Sequence, residues 1–229
     1  MVAFDKSKLA WGGAAVLLAV SVAMTFMKPP AEISAVLAGI AHDLRLYSGG
    51  LHVAVPVVLT AGLVLERFRS RLLAGLIAYL ALSAAVVSVL YGLPPNTLVF
   101  SAIFLLGARV LLSGQIAFDL TALGRIDKGV ATLGLLFGFW YLHWVEPPIL
   151  LNAAIVSPLG VVNCPTLLMI CGLLCLATPP RPRLLTFFAA FATLHFGLFG
   201  IFFLGAYIDV ALVICALFLI WREWQTARI

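Results

Sequence analysis

Residues 65–96 read LERFRSRLLAGLIAYLALSAAVVSVLYGLPPN. Three arginines, Arg67, Arg69 and Arg71, give way to a run from Leu72 to Leu93 without a charged side chain, and Gly92, Pro94 and Pro95 then break it. An apolar stretch of about 18 or more residues is long enough for a helix to cross the hydrocarbon core of a bilayer. The run is continuous and not alternating, which selects a helix over a barrel strand. The segment therefore reads as a membrane-spanning helix with a basic cluster at one end.

The rest of the chain repeats this pattern. Of its 229 residues, 64% are hydrophobic and only 10% are charged, with a mean hydropathy of +1.17. A soluble domain carries about 25% charged residues. Eight apolar runs are expected to be spans: Leu9–Met27, Leu51–Leu65, Leu72–Leu93, Thr97–Ser113, Val130–Val145, Val161–Thr178, Leu184–Ala206 and Ile208–Trp221. Eleven of the fourteen Lys and Arg residues fall before the first run, after the last, or in alternate gaps. These are Lys6, Lys8, Arg67, Arg69, Arg71, Arg125, Lys128, Arg181, Arg183, Arg222 and Arg228. The other side holds only Lys28 and Arg45, and Arg109 lies within a run. By the positive-inside rule both termini are cytoplasmic. The fold class is an all-α membrane protein, a bundle of about eight transmembrane helices forming one polytopic domain over residues 1–229. The +5 charge marks span ends and headgroup contact, and a nucleic-acid partner is excluded because no basic face carries interleaved aromatics.

Two stretches between spans carry their own signal. In residues 31–47, Ile33, Val36, Leu37, Ile40, Leu44 and Tyr47 recur at helical spacing, with Glu32, His42 and Asp43 largely on another face. This predicts an amphipathic helix lying on the outer membrane surface. Residues Ile149–Gly160 are apolar yet too broken to span, and read as an outer loop packing back into the bundle. Gly134 and Gly138 form a G-x-x-x-G pair, which favours close helix contact within the chain or with a partner. Trp140, Tyr141 and Trp144 read as interfacial anchors.

The topology gathers polar residues at the outer ends of the spans: His42, Asp43, His52, His143, Glu146, Asn152, Asn163, Cys164 and Asp209. Imidazole, carboxylate and thiolate together suit a transition metal, and His52, His143, Glu146 and Cys164 are the candidate ligands. The competing reading is a set of solvated or hydrogen-bonded span ends. His195 stands near the middle of its span, where an ionisable side chain is a functional candidate by default. It would ligate a haem or chlorophyll-type pigment, relay a proton, or bond a neighbouring helix as a neutral imidazole. A bis-His haem is disfavoured because no second His lies at that depth. Arg109 would snorkel inward, pair with Asp119 if the helix bends, or contact a buried anion. Arg109, His195 and Asp209 are the candidates for a substrate path. Cys164, Cys171 and Cys175 share one helical stripe that is too long for a single metal centre and suits helix packing.

The segment from Ser157 through Gly160, Cys164, Pro165 and Thr166 to Arg183 resembles an uncharacterised family of bacterial multi-pass membrane proteins. That family carries Gly-x-x-Cys-Pro-Thr-Thr entering a Leu/Gly-rich span, followed by a Pro/Arg-rich turn and two further spans. Leu167 replaces the second Thr here, and the resemblance covers mainly residues 96–221. It implies a helical fold in the bacterial cytoplasmic membrane and no reaction, although such proteins are sometimes named permeases. The first expectation is a non-catalytic integral subunit that anchors or completes a larger, energy-converting membrane complex. Its partners would be the lipid bilayer and other membrane subunits or a second copy. The alternatives are a permease or channel for a small solute or metal ion, and a haem- or pigment-binding protein.

Overall fold

The computed structural model describes residues 6–141, 157–179 and 181–226. Among these residues the helices are α1 (Lys6–Thr25), α2 (Pro30–Asp43), α3 (Arg45–Val64), α4 (Arg69–Leu90), α5 (Pro94–Ser113), α6 (Arg125–Phe139), α7 (Asn163–Cys175), α8 (Arg183–Phe203) and α9 (Val210–Thr226). The one extended pairing among them is an antiparallel bridge between Ala117 and Thr178. Among the described residues, each expected apolar run contributes a helix. Four of the helices, α3, α4 with its preceding turn, α5 and α8, are long and apolar enough to cross a membrane, or five spans if the bent pair α1–α2 counts as one. The runs forming α6, α7 and α9 yield helices of 15, 13 and 17 residues.

The chain turns through 103° between α1 and α2. Pro29 and Pro30 cause the break, since proline lacks the amide that would continue α1 while its fixed φ suits the first turn of α2. The amphipathic helix expected over 31–47 is present over Pro30–Asp43, and part of its apolar stripe packs against the bundle. Leu37 and Ile40 are buried against Val87, Leu93, Val161 and Val162, so α2 folds over the outer end of α4 and the α4–α5 turn. Helix α3 begins at Arg45, earlier than the expected Leu51, because the chain re-enters helix directly after Leu44.

Helix α7 occupies the centre, and all of its residues are buried. It packs on α6 through three glycines. A Cβ on Gly134 would stand 2.9 Å from Gly172 Cα, one on Gly138 2.6 Å from Met169 N, and one on Gly172 2.7 Å from Leu135 N. The G-x-x-x-G pair thus serves a contact inside the chain, and Gly172 completes it from the facing helix.

Both ends of α7 are met by side chains. At the outer end, the Gly160 amide donates to Thr166 Oγ1 at 2.9 Å, Thr166 donates to Val162 O at 2.6 Å, and Ser83 donates to Gly160 O at 2.6 Å. Gly160 has φ +77° and lies so close to Leu51 that a Cβ there has no room. At the inner end, Arg222 donates to Cys175 O and Leu174 O, each at 2.7 Å, and to Asp127 Oδ1 at 3.1 Å. Beside it Glu223, also buried, accepts from Arg181 at 3.2 Å and lies 4.0 Å from Arg183. Arg69 donates to Gly62 O and Leu63 O and so closes the end of α3. Several of the basic residues at this end of the bundle are therefore built into the helix ends.

Adding a methyl group in the α6–α7 seam should be costly. Gly138→Ala and Gly172→Ala are each expected to lower stability by roughly 1–3 kcal/mol, the range for overpacking a tight core. Gly75→Ala in α4, where a Cβ meets nothing within 4 Å, should leave stability unchanged or slightly higher. Thermal unfolding of the purified chain in detergent measures this, and a Gly172→Ala protein as stable as wild type contradicts the packing.

Candidate functional site

The densest buried polar group lies at the end of the bundle where α7 starts. Asp209, fully buried, sits in the 3-10 turn Tyr207–Asp209 just before α9. Tyr141 donates to its Oδ1 at 2.6 Å and Cys164 Sγ donates to its Oδ2 at 3.3 Å. No Lys or Arg pairs with it among the described residues. A carboxyl group removed from water needs such donors, and the start of α9 presents the positive end of its dipole. Gly200 makes the room: a Cβ there would collide with the Asp209 carboxylate. The turn therefore ties α6, α7, α8 and α9 at one point.

Of the expected metal ligands, Cys164 belongs to this cluster and His52 does not. His52 Nδ1 lies 2.8 Å from Ser48 O and Nε2 lies 2.9 Å from Phe139 O. Both neighbours are backbone carbonyls of the bundle, and the two ring nitrogens face them and not the Cys164–Asp209 cluster. His52 instead ties α3 to the end of α6. His143, Glu146 and Asn152 lie outside the described residues. Among the described residues no group of three or more His, Cys, Asp or Glu is placed to hold a metal ion. His42 and Asp43 are exposed at the end of α2, and Asp43 accepts from Tyr91 at 3.0 Å.

His195 bonds a neighbouring helix. Its Nε2 lies 3.1 Å from Thr25 Oγ1, and the Thr25 hydroxyl donates to Ser21 O at 2.9 Å, so Nε2 is the donor of the pair. Phe26, Phe196 and Phe199 surround the ring. Arg109 is exposed near the C-terminal end of α5 and does not reach Asp119. That carboxylate accepts from the hydroxyl and the amide of Thr121, which hold it below the usual carboxylate range. Arg109, His195 and Asp209 thus stand in three separate environments.

Next to the Thr25–His195 pair is a cavity of about 280 Å³ in the elbow between α1 and α2. Its wall is mostly apolar, formed by Met24, Leu37, Pro95, Phe196 and Phe199 among others, with Thr25, Lys28, Asn96 and Asn163 as polar residues. Asn163 is buried, and its Oδ1 has no hydrogen-bond partner among the described residues. Sequence reading places Asn163 in the outer polar group but misses Tyr141 and Gly200. Tyr141 looks like one more interfacial aromatic, and Gly200 is one glycine in a phenylalanine-rich helix. The only signal for the pair is a lone acid, Asp209, in an otherwise uncharged hairpin. No family model, curated protein or solved structure matches the chain.

The Gly200–Asp209 fit predicts a non-additive double mutant. Gly200→Ala alone should be strongly destabilising, and Asp209→Ala, which removes the colliding carboxylate, should relieve most of that loss when combined with it. Tyr141→Phe should cost about 1–3 kcal/mol by leaving the carboxylate short of a donor. Additive effects of Gly200→Ala and Asp209→Ala in thermal unfolding would contradict the arrangement.

Proposed function

We propose that this chain is a non-catalytic integral membrane protein that binds a small, largely apolar ligand in the elbow cavity. The observation that carries this reading is a mostly apolar cavity with an orphaned acceptor, Asn163 Oδ1, on a wall residue. Ligand sites are concave, mainly apolar and furnished with a few polar groups, and span roughly 300–1,000 Å³. This one, at about 280 Å³, lies just below that range. Its ligand class is an apolar body bearing one hydrogen-bond donor. Such a site suits a permease or receptor, whereas Asp209, His52 and His195 act as ties between helices.

The proposal includes the finer topology: eight crossings in the bacterial cytoplasmic membrane, with both termini and the Arg181–Arg222 end on the cytoplasmic side. The alternation of basic residues supports it. Membership of the family with the Gly160, Cys164, Pro165 and Thr166 pattern belongs to the same proposal. A second reading, a subunit completing a larger membrane complex, is favoured by α3, whose outward face leaves Leu46, Val53, Val57 and Val64 exposed. A partner helix on that face would make the chain migrate above its monomer mass on native gels.

Native mass spectrometry of the full chain, extracted from its own membrane in mild detergent, tests the cavity. Wild type should carry a small apolar adduct. Ile33→Trp, which fills the cavity, should release it, and Leu46→Trp, on the exposed face of α3, should keep it. A wild-type spectrum without an adduct, or equal retention by Ile33→Trp, overturns the reading.

A further inference from the structure

A second cavity, of about 560 Å³, opens at the opposite end of the bundle. Three arginines line it: Arg109 from α5, Arg181 from the segment before α8, and Arg183 at the first position of α8. Arg109 is far in sequence from Arg181 and Arg183, and the link between them is structural. Thr178 N donates to Ala117 O at 2.8 Å and Asp119 N donates to Thr178 Oγ1 at 3.1 Å, which holds the segment after α5 against the segment before α8. Gln115 and Trp11 join the arginines in the wall, and no acidic residue among the described ones does.

The charge is not balanced locally. Glu223 is the one acid within ion-pair distance of any of the three among the described residues, and Arg181 and Arg183 share it. Among the described residues Arg109 has no ion pair or hydrogen bond, and Arg181 Nε is buried without a partner. Two positive charges are thus left uncompensated in one concave site. Like charges gathered at a low-dielectric wall repel each other and favour an anion between them. The guanidinium fork matches the oxygens of a phosphate better than a point charge does. The first turn of α8 borders the same space and carries no side-chain cap, which adds dipole in the same sense. Leu106, Val110, Leu184 and Leu185 supply an apolar wall beside the charged one.

We infer that the cavity lined by Arg109, Arg181 and Arg183 is a binding site for a phosphate group, presented either by an anionic phospholipid head or by a free phosphate. The site is independent of the elbow cavity, with which it shares no lining residue.

The test uses the full chain in nanodiscs of neutral phosphatidylcholine. One arm titrates a short-chain phosphatidylglycerol and the other inorganic phosphate, with calorimetry as the readout. Saturable binding in the lipid arm assigns a headgroup site, and saturable binding in the phosphate arm assigns a free-anion site; either supports the inference. Arg109→Gln with Arg183→Gln should weaken that binding at least about tenfold, the loss expected for one charge-assisted hydrogen bond. Arg67→Gln with Arg71→Gln, exposed arginines at the same end, should leave it unchanged. No saturable binding by wild type in either arm overturns the inference. So does an equal loss in the two double variants, which would reduce the effect to general surface charge.

Discussion

The contact between α6 and α7 is the constraint on which the rest of the structure depends. Helices in a bilayer gain little from hiding apolar surface from one another, so close backbone approach and internal hydrogen bonds must hold them. Gly134, Gly138 and Gly172 allow that approach, with backbone atoms where Cβ atoms would otherwise stand. The seam draws α7 into the interior. A helix of 13 residues is about 20 Å long, well short of the roughly 30 Å hydrocarbon core. Its unpaired terminal amides and carbonyls therefore cannot rely on water at both ends.

The buried polar residues follow from that need. Arg222 closes the inner end of α7 by bonding two of its last carbonyls, and Asp127 and Phe218 keep the guanidinium in place. Thr166 and Gly160 shape the outer end, where Cys164 is bonded to Asp209. Asp209 in turn requires Gly200 and Tyr141. The side chains with the most reactive chemistry in the sequence are thus mutually engaged, and the open features lie away from them. One is the elbow cavity at the outer end. The other is the arginine-lined cavity at the inner end.

Much of this was legible in the sequence, and the remainder was hidden for identifiable reasons. Continuous apolar runs located each helix, because burial in any apolar medium, lipid or protein, demands the same composition. For that reason they did not separate α7, sheathed by protein, from α3, with a broad exposed face. The prolines after α1 marked the elbow, but the stripe of α2 did not say whether Leu37 and Ile40 meet lipid or the α4–α5 turn. Reading Arg181, Arg183 and Arg222 as markers of span ends and headgroup contact passed over Glu223 and Asp127, the acids available at the same end. Gly134 and Gly138 announced a close contact, and Gly172 went unnoticed as the third member because it stands alone in its own helix. The outer polar group mixed two fates: His52 is locked between carbonyls, whereas Cys164 and Asp209 share a bond.

The central claim, that α7 is enclosed by the other helices and held at both ends, is most directly tested by thiol labelling. The four cysteines are free and buried, and three of them lie on α7. A small membrane-permeant maleimide, read by intact mass, should modify none of the four in the folded chain in lipid and all four after denaturation in SDS. Labelling of Cys171 or Cys175 in the folded protein at the rate of an exposed thiol would contradict the account.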